Sequence, residues 1–165
     1  MDSSSGFVVD ESGAIVLGAR TAAEVGARRI AGGTAACDRL FVYGTLQFPR
    51  VLVELIGRCP EIVAAELAGW RSAALPGRVY PGLVPAADRV ARGVVLTGLD
   101  AGEWTVLDAF EDDEYELQRV RLGSVDAWTY VWTSVVAQDD WYADRFAAEH
   151  LRAFVRRCAQ WRRQF

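Results

Sequence analysis

The sequence contains few residues that bind metals or act as nucleophiles, which narrows the chemistry open to it. Its 165 residues include one histidine, His150, and three widely separated cysteines, Cys37, Cys59 and Cys158. Ser-His or Cys-His catalysis needs a histidine base, and zinc sites are mostly built from closely spaced histidines and cysteines. Scattered cysteines in odd number are typical of reduced thiols. We therefore expect no zinc site and no disulfide framework, and we assign His150 to a partly exposed helix face.

The chain also lacks a basic excess and a long apolar run. Its net charge is −4 and its pI is near 5.1, which argues against nucleic acid as a partner. No apolar run approaches the roughly 20 residues that span a bilayer, and residues 1–13 lack the basic start and apolar core of a signal peptide. We predict a cytoplasmic protein that binds neither nucleic acid nor membranes. A hydrophobic content of 52% is enough for one domain with a sizeable core.

Residues 1–37 form a separate N-terminal extension in our interpretation. Phe7–Val9 and Ala14–Leu17 flank a polar turn, which predicts a short hairpin. Thr21 and Glu24 have capping-box spacing for a helix that ends near Gly33. A poorly ordered extension rich in glycine, alanine and serine is the alternative. The globular domain then covers residues 38–165.

The segment Phe41–Leu46 combines a buried strand with a glycine turn that leads to a helix. Leu40 to Tyr43 are continuously apolar, which is typical of a central strand covered on both faces. Gly44 follows, Pro49 suits the first turn of a helix, and Gly57 suits its end. Successive backbone N–H groups beside a helix N-terminus can bind an anion. The same pattern also fits a plain turn.

The remainder of the domain is dominated by strand patterns. The predicted strands are Ile62–Leu67, Trp70–Leu75, Val90–Leu96, Gln118–Leu122 and Ala127–Trp132, with an extended segment over Arg78–Pro85 that its prolines confine to an edge or a crossing loop. Gly93 marks either a bulge or a close backbone approach. Asp100 and Glu103 predict a capped helix start, and Asp139 or Asp140 caps the last helix. Because helices interrupt the run of strands at only two places, the predicted class is α+β.

The last helix has an apolar stripe and a set of arginines. The stripe contains Ala147, Leu151, Phe154, Cys158 and Trp161 at helical spacing. Arg152, Arg156 and Arg157 lie largely outside it. They could bind an acidic partner, but charged helix faces usually serve solvation, and we favour solvation.

An acidic run offers the clearest candidate for chemistry. Six carboxylates occur in the nine residues from Asp108 to Glu116. A carboxylate buried among like charges has a raised pKa and can act as a base near neutral pH, although a solvated acidic loop is the commoner meaning of such a run. Phe110 and Tyr115 interrupt the run and should hold parts of it against the core. Glu111 directly follows Phe110 and is therefore our candidate.

Several short blocks occur together in one order and spacing. They are Phe41–Leu46, Tyr80–Gly82, Gly93–Val95 with Leu99, Leu107–Glu111 with Glu114 and Tyr115, and Tyr130–Trp132. With these blocks, residues 40–132 resemble the γ-glutamylcyclotransferase-like family, which includes the γ-glutamylamine cyclotransferases and the plant avirulence-induced-gene proteins. Two positions depart from the pattern, since many members carry glycine at position 112 and arginine at position 117, where this chain has Asp112 and Leu117.

The resemblance implies both a fold and an activity. The fold is a small mixed β-sheet closed into a barrel-like form with packed helices. The activity is an acyltransferase-type cyclisation that releases 5-oxoproline from a small γ-glutamyl substrate without a cofactor. Glu111 is then the general acid/base and Tyr115 lines the pocket. The implied substrate loop comprises Tyr43, Gly44, Thr45, Leu46, Gln47 and Phe48. The leaving group and the oligomeric state stay open.

Two other functions remain open from the sequence. A binding module on the same fold would keep the pocket, but Glu111 would not meet a substrate. A protein-interaction domain would use the acidic run, and its binding would depend strongly on salt. A Glu111 side chain that points into a cavity beside the Tyr43 loop favours the enzyme, whereas a filled cavity favours the binding module.

Overall fold

The computed structural model describes residues 7–9, 15–17 and 38–165. In the N-terminal part, β1 (Phe7–Val9) and β2 (Ile15–Leu17) pair antiparallel with Phe7 opposite Leu17, which confirms the strand pairing of the predicted hairpin. The helix predicted between Thr21 and Gly33 lies outside the described residues.

The domain that follows is a mixed sheet with helices around it. Its elements are β3 (Leu40–Val42), a 3-10 turn (Thr45–Gln47), α1 (Pro49–Ile56), β4 (Glu61–Ala74), β5 (Pro81–Thr97), α2 (Ala101–Phe110), β6 (Tyr115–Leu122), β7 (Val125–Trp132), α3 (Ala143–Glu149) and α4 (Leu151–Gln164). The strand order is β4-β5-β3-β7-β6, and β3 runs parallel to β7. The α+β class is confirmed. The sheet curls, with β5 also bridging to β7, but it does not close, so it is barrel-like only in a loose sense.

Strand β3 lies at the centre of the sheet and is buried on both faces. Leu40 and Val42 pack into a large cluster with the helices, whereas Phe41 and Tyr43 pack into a second cluster with residues such as Leu83. All five are at most 6% exposed. Full burial of one such side chain stabilises the fold by about 1.5–3 kcal/mol. This two-sided burial is the reason that the strand is continuously apolar rather than alternating.

Glycines set two features of the long β4-β5 hairpin. A Cβ at Gly93 would lie 2.2 Å from the carbonyl oxygen of Val42, so the glycine allows a close backbone approach, while its pairing with Ala65 continues without a bulge. The register instead shifts between Ala68 and Trp70, around Gly69 with φ of 85°. The two strands predicted on either side of this point are therefore one bent strand.

The segment Arg78–Pro85 is neither an edge nor a crossing loop, because its second half belongs to β5, inside the sheet. Within the described residues, β3 pairs only with residues 94–96 of β5, and the proline-containing half meets β7 at Leu83 alone. The prolines are tolerated because few ladder hydrogen bonds are required on that side.

The last helix begins later than predicted and is interrupted. Its first part, α3, starts at Ala143 with Tyr142 as N-cap, and His150 separates it from α4. Asp140 caps neither helix, because its carboxylate forms ion pairs with Arg71, at 2.9 Å, and with Arg89. In the part of the chain that the structure describes, no helix has both the length and the apolar character needed to cross a membrane.

Candidate functional site

An open cavity of about 660 Å³ lies where the segment after β3 meets the end of α2, the start of β6 and one face of α4. Five of the predicted substrate-binding residues line this cavity, and so does the predicted acid/base. They are Tyr43, Gly44, Thr45, Leu46, Tyr115 and Glu111. The fold thus brings together segments that are almost 70 residues apart in the sequence.

Glu111 is placed by the end of α2. It is the C-cap residue of this helix, its backbone N–H donates to the carbonyl of Asp108 at 3.3 Å, and its side chain is half-buried in the cavity lining. Helix α2 is itself fixed by the predicted capping box of Asp100 and Glu103, with Trp104 buried beneath it. A rigid helix therefore positions the carboxylate at the cavity wall.

The turn after Tyr43 lines the cavity and contains backbone N–H groups in two different states. The N–H groups of Gln47 and Phe48 donate to the carbonyls of Gly44 and Thr45 at 3.2 and 3.3 Å. Among the described residues, no acceptor is paired with the N–H of Thr45 or Leu46. These two adjacent donors beside a helix suit an anion.

The requirement for glycine at position 44 is steric. Its φ is −119°, which lies outside the left-handed region. A Cβ on Gly44 would lie 2.8 Å from the Cγ of Pro81. The sequence pattern locates this glycine, but the close approach to Pro81 is visible only in the fold.

Tyr43 and Tyr115 form a buried part of the lining. The Tyr43 hydroxyl donates to the carbonyl of Tyr130 at 2.6 Å, and the Tyr115 hydroxyl donates to the carbonyl of Pro81. Burial, followed by the negative charge of Glu111, raises the pKa of Tyr43 well above its usual value. Burial also raises the pKa of Tyr115, with smaller contributions from Tyr43 and Glu111. Both hydroxyls are therefore protonated donors near neutral pH.

Gln47 and Phe48 lie outside the lining of the cavity. The Gln47 amide donates to the carbonyl of Tyr43 at 3.0 Å, and the ring of Phe48 packs on that of Phe146 with 5.4 Å between centroids. Both residues hold the loop in place in this structure, and a direct contact with substrate stays a prediction for them.

A buried polar pair that sequence reasoning missed connects the loop to α2. Asp108 is 0% exposed and its Oδ1 accepts a hydrogen bond from the Tyr130 hydroxyl at 2.8 Å. Because the carbonyl of Tyr130 accepts from Tyr43, the chain of contacts runs from the loop to the helix that carries Glu111. Nothing in the acidic run distinguishes Asp108 from its neighbours, so no sequence pattern indicates this pair.

The two departures from the family pattern have different surroundings. Asp112 lines the cavity, accepts a hydrogen bond from the Tyr80 hydroxyl, and lies 3.8 Å from the Nε of Arg78. Burial and this hydrogen bond raise the pKa of Tyr80. Leu117 is half-buried and packs against the main core cluster. Asp112 therefore changes the polar lining, whereas Leu117 adds an apolar contact.

One face of α4 supplies a wall that the sequence did not predict. Phe154, Arg157 and Trp161 line the cavity. The position of Arg157 outside the apolar stripe predicts a solvated side chain instead. Its spacing of three from Phe154 and four from Trp161 places all three on one helix face, and this was the available signal.

His150 and Cys158 lie apart from this cavity. His150 has an exposed side chain, and its Nε2 lies 3.6 Å from Glu149. Cys158 is fully buried, and burial raises the pKa of its thiol to about 12. Neither residue is among the lining residues of the cavity.

Comparisons of the sequence with a family model and with known proteins agree on one family. A family model described as gamma-glutamyl cyclotransferase, AIG2-like, matches residues 40–148. AIG2-like protein C of Arabidopsis thaliana is 42% identical over 106 residues, and this match spans 61% of each chain. AIG2-like protein D of the same plant is 33% identical over 134 residues, covering 75% of this chain and 88% of the relative.

Solved structures with the same architecture support the assignment. Two solution structures of Arabidopsis thaliana proteins superpose with TM-scores of 0.58 and 0.59 at 30% and 26% identity, covering 77% and 79% of this chain and 91% and 86% of theirs. The crystal structure of an uncharacterized Pyrococcus horikoshii protein shares the fold, with a TM-score of 0.54 at 19% identity, and covers 68% of this chain and 95% of its own. From its sequence and its fold, the chain belongs to the γ-glutamyl cyclotransferase, AIG2-like family.

Proposed function

We propose that this protein is a γ-glutamyl cyclotransferase-type enzyme that converts a γ-glutamyl compound into 5-oxoproline and a free amine or amino acid. The observation that carries the proposal is that Glu111 and the Tyr43–Leu46 turn line one open cavity. A volume of about 660 Å³ is in the range of small-molecule sites. A filled cavity would have favoured a non-catalytic module.

The proposed reaction is intramolecular. The substrate α-amine attacks the γ-carbonyl carbon, a five-membered lactam forms, and the amide bond to the leaving nitrogen breaks. Holding the substrate in its folded conformer supplies much of the acceleration, because the attacking and attacked groups are already in one molecule. The enzyme must then chiefly position the substrate and move protons.

Glu111 is the proposed proton carrier. At neutral pH the α-amine is protonated and cannot attack, so a base must remove its proton. Glu111 takes this proton and gives it to the leaving nitrogen, and the second proton that the attacking nitrogen loses on closing the lactam passes to the released amine, which leaves as an ammonium ion. Tyr43 and Tyr115 do not suit the role of base, because burial raises the pKa of both hydroxyls and keeps them protonated.

The Tyr43–Leu46 turn is the proposed anchor for the substrate α-carboxylate. The adjacent N–H groups of Thr45 and Leu46 suit a carboxylate. Tyr43 and Tyr115, held by their hydrogen bonds, close the cavity beneath the substrate. The same contacts would fix the α-amine toward Glu111.

The test is a product screen with a matched pair of variants. The purified protein is incubated with a panel of γ-glutamyl amino acids and γ-glutamyl amines, and 5-oxoproline is detected by mass spectrometry. We expect 5-oxoproline from at least one substrate and a loss of at least a hundredfold in Glu111→Gln, in line with general acid–base catalysis. Glu116→Gln changes an exposed carboxylate outside the cavity lining and should retain the parent rate. Equal turnover by Glu111→Gln and the parent would refute the assignment of Glu111.

A binding module on the same fold is the second candidate, and it is favoured by Asp112, whose hydrogen bond with Tyr80 alters the polar lining. In that case γ-glutamyl ligands would bind without 5-oxoproline being formed. Calorimetry on the same panel distinguishes the two functions.

A further inference from the structure

Two arginines line the cavity among the residues that the structure describes, and they differ in their surroundings. Arg78 lies 3.0 Å from the carboxylate of Glu114 and 3.8 Å from that of Asp112, and its guanidinium lies over the ring of Trp132. Its charge is therefore already paired within the protein. A ligand anion would gain little there, because it would have to compete with two carboxylates.

Arg157, in contrast, has no such partner within the described part of the chain. Among residues 38–165, no carboxylate lies within 4.0 Å of its guanidinium nitrogens. The guanidinium lies 5.6 Å from the centre of the Phe154 ring, on the α4 wall of the cavity. Contact with the ring limits the number of positions that the long side chain adopts. Arg157 is thus held at the cavity and is available to an anion.

An aromatic surface lies beside this cation. The ring of Phe110 meets those of Phe154 and Trp161 edge to face, with centroids 6.1 and 5.2 Å apart. Phe110 and Trp161 are half-buried, so part of each ring remains open to a ligand. Such a surface attracts aromatic and large aliphatic groups.

The aromatic surface of Phe110, Phe154 and Trp161 begins next to the proposed acid/base, because Phe110 immediately precedes Glu111. A substrate whose γ-glutamyl part lies on the Tyr43–Leu46 turn and whose scissile amide lies at Glu111 has its leaving group against one of the other walls. The wall around Arg78 carries paired charges, whereas the α4 wall carries Arg157 and open aromatic surface.

We propose that Arg157, Phe110 and Trp161 form the leaving-group subsite, and that this subsite selects an α-amino acid with a free carboxylate and an aromatic or large aliphatic side chain over a simple amine. The inference rests on the proposed function. Arg157 pairs with the carboxylate of the leaving amino acid, and the aromatic wall takes its side chain. This names the class of leaving group that the fold and the family leave open.

The test compares substrates that differ in one group. γ-Glutamyl-phenylalanine and γ-glutamyl-phenethylamine share the aromatic ring and differ only in the carboxylate, and γ-glutamyl-alanine keeps the carboxylate without the ring. For the parent we expect kcat/KM for the phenylalanine compound to exceed that for each of the others by about tenfold, the size of one charge-assisted contact at a partly exposed site.

The matched variants are Arg157→Gln and Arg152→Gln. Both residues are exposed on α4, but only Arg157 lines the cavity. We expect Arg157→Gln to raise KM for the phenylalanine compound about tenfold and to leave its kcat nearly unchanged. The kcat/KM for the phenethylamine compound should also stay nearly unchanged, so the preference for the carboxylate is abolished. Arg152→Gln should keep it. Circular dichroism and thermal melting establish that both variants are folded.

Some outcomes overturn the subsite directly. A parent preference for phenethylamine, or an unchanged preference in Arg157→Gln, contradicts the role of Arg157. Equal turnover of the alanine and phenylalanine compounds contradicts the role of the aromatic wall.

Failure of the proposed function is a distinct result. If no γ-glutamyl compound yields 5-oxoproline, calorimetric titration of the parent and Arg157→Gln with γ-glutamyl-phenylalanine still decides the question. Binding that weakens about tenfold in Arg157→Gln supports the subsite without catalysis. Equal binding, or no binding by the parent, refutes it.

Discussion

The floor of the cavity is defined by the lining residues Tyr43, Tyr115 and Tyr130 together with Asp108, which Tyr130 contacts, and these residues are at most 6% exposed. The side chains at its mouth, Arg78, Asp112 and Glu114, are 34–41% exposed. Floor residues form hydrogen bonds in surroundings from which water is excluded. Mouth residues form ion pairs that water and salt screen. The comparison teaches that the shape of the site depends on the floor, and that the mouth can vary at small cost to the fold.

The largest expected difference comes from removing one hydroxyl at the floor. Tyr130→Phe takes away the donor that lies 2.8 Å from the buried carboxylate of Asp108. Leaving a buried acceptor without its donor costs about 1–3 kcal/mol, and we expect a loss of that size in the free energy of unfolding. Denaturant titration measures it. Tyr142→Phe, at an exposed tyrosine, should stay within about 0.5 kcal/mol of the parent. Equal effects of the two variants would remove the distinction between floor and surface.

An alkaline titration tests the floor without relying on one contact. Tyr43 and Tyr115 have raised pKa values in the fold, so their protonated forms are favoured there. Their contribution to stability is full below pH 10, the ordinary pKa of tyrosine, and is lost as pH rises beyond it, because the unfolded chain then releases protons that the folded chain keeps. Above pH 10, each of these two tyrosines lowers the free energy of unfolding by up to about 1.4 kcal/mol per pH unit.

The measurement is the free energy of unfolding at pH 8 and at pH 11. The chain contains no lysine, so the tyrosines, together with the buried Cys158 thiol whose pKa is also raised, account for much of the titration in this interval. Tyr43→Phe should lose less stability between the two pH values than the parent. Phe41→Leu, which perturbs the neighbouring core without removing a hydroxyl, should follow the parent slope. A Tyr43→Phe slope identical to that of the parent would contradict the raised pKa.

The smallest effect is expected at the mouth. Glu114→Gln removes the 3.0 Å ion pair with Arg78, whose other neighbour Asp112 remains. Partly exposed pairs contribute about 0–1 kcal/mol, so the free energy of unfolding should change by less than about 1 kcal/mol, and by less still in 0.5 M salt. A loss above about 2 kcal/mol would show that the mouth stabilises the fold as strongly as the floor does.

Local patterns predicted the elements that local interactions determine. The apolar run of β3, Pro49 at the start of α1, Gly57 at its end and the capping box of α2 all agree with the structure. These features depend on neighbouring residues and on burial of a whole strand, and both produce recognisable patterns in the sequence. The turn that contains Gly44, and Glu111 as the candidate carboxylate after Phe110, were predictable from the same kind of local pattern.

Features that depend on distant partners were missed. Asp140 looked like a helix cap, but Arg71 and Arg89 come to it from β4 and β5. The pairing of Tyr130 with Asp108 joins residues 22 positions apart. Arg157 meets the cavity because α4 packs against α1 and its Phe154 and Trp161 rings contact Phe110 at the end of α2. No local pattern specifies such contacts, so the floor network and the α4 wall required the fold.

The most direct test of the central claim is a structure of Glu111→Gln with a γ-glutamyl amino acid bound. The account predicts that the ligand α-carboxylate accepts hydrogen bonds from the backbone N–H groups of Thr45 and Leu46, and that its α-amine lies within about 3 Å of the residue 111 side chain. A ligand bound elsewhere, or one whose α-amine points away from residue 111, would contradict the proposal that this loop and this glutamate form one catalytic site.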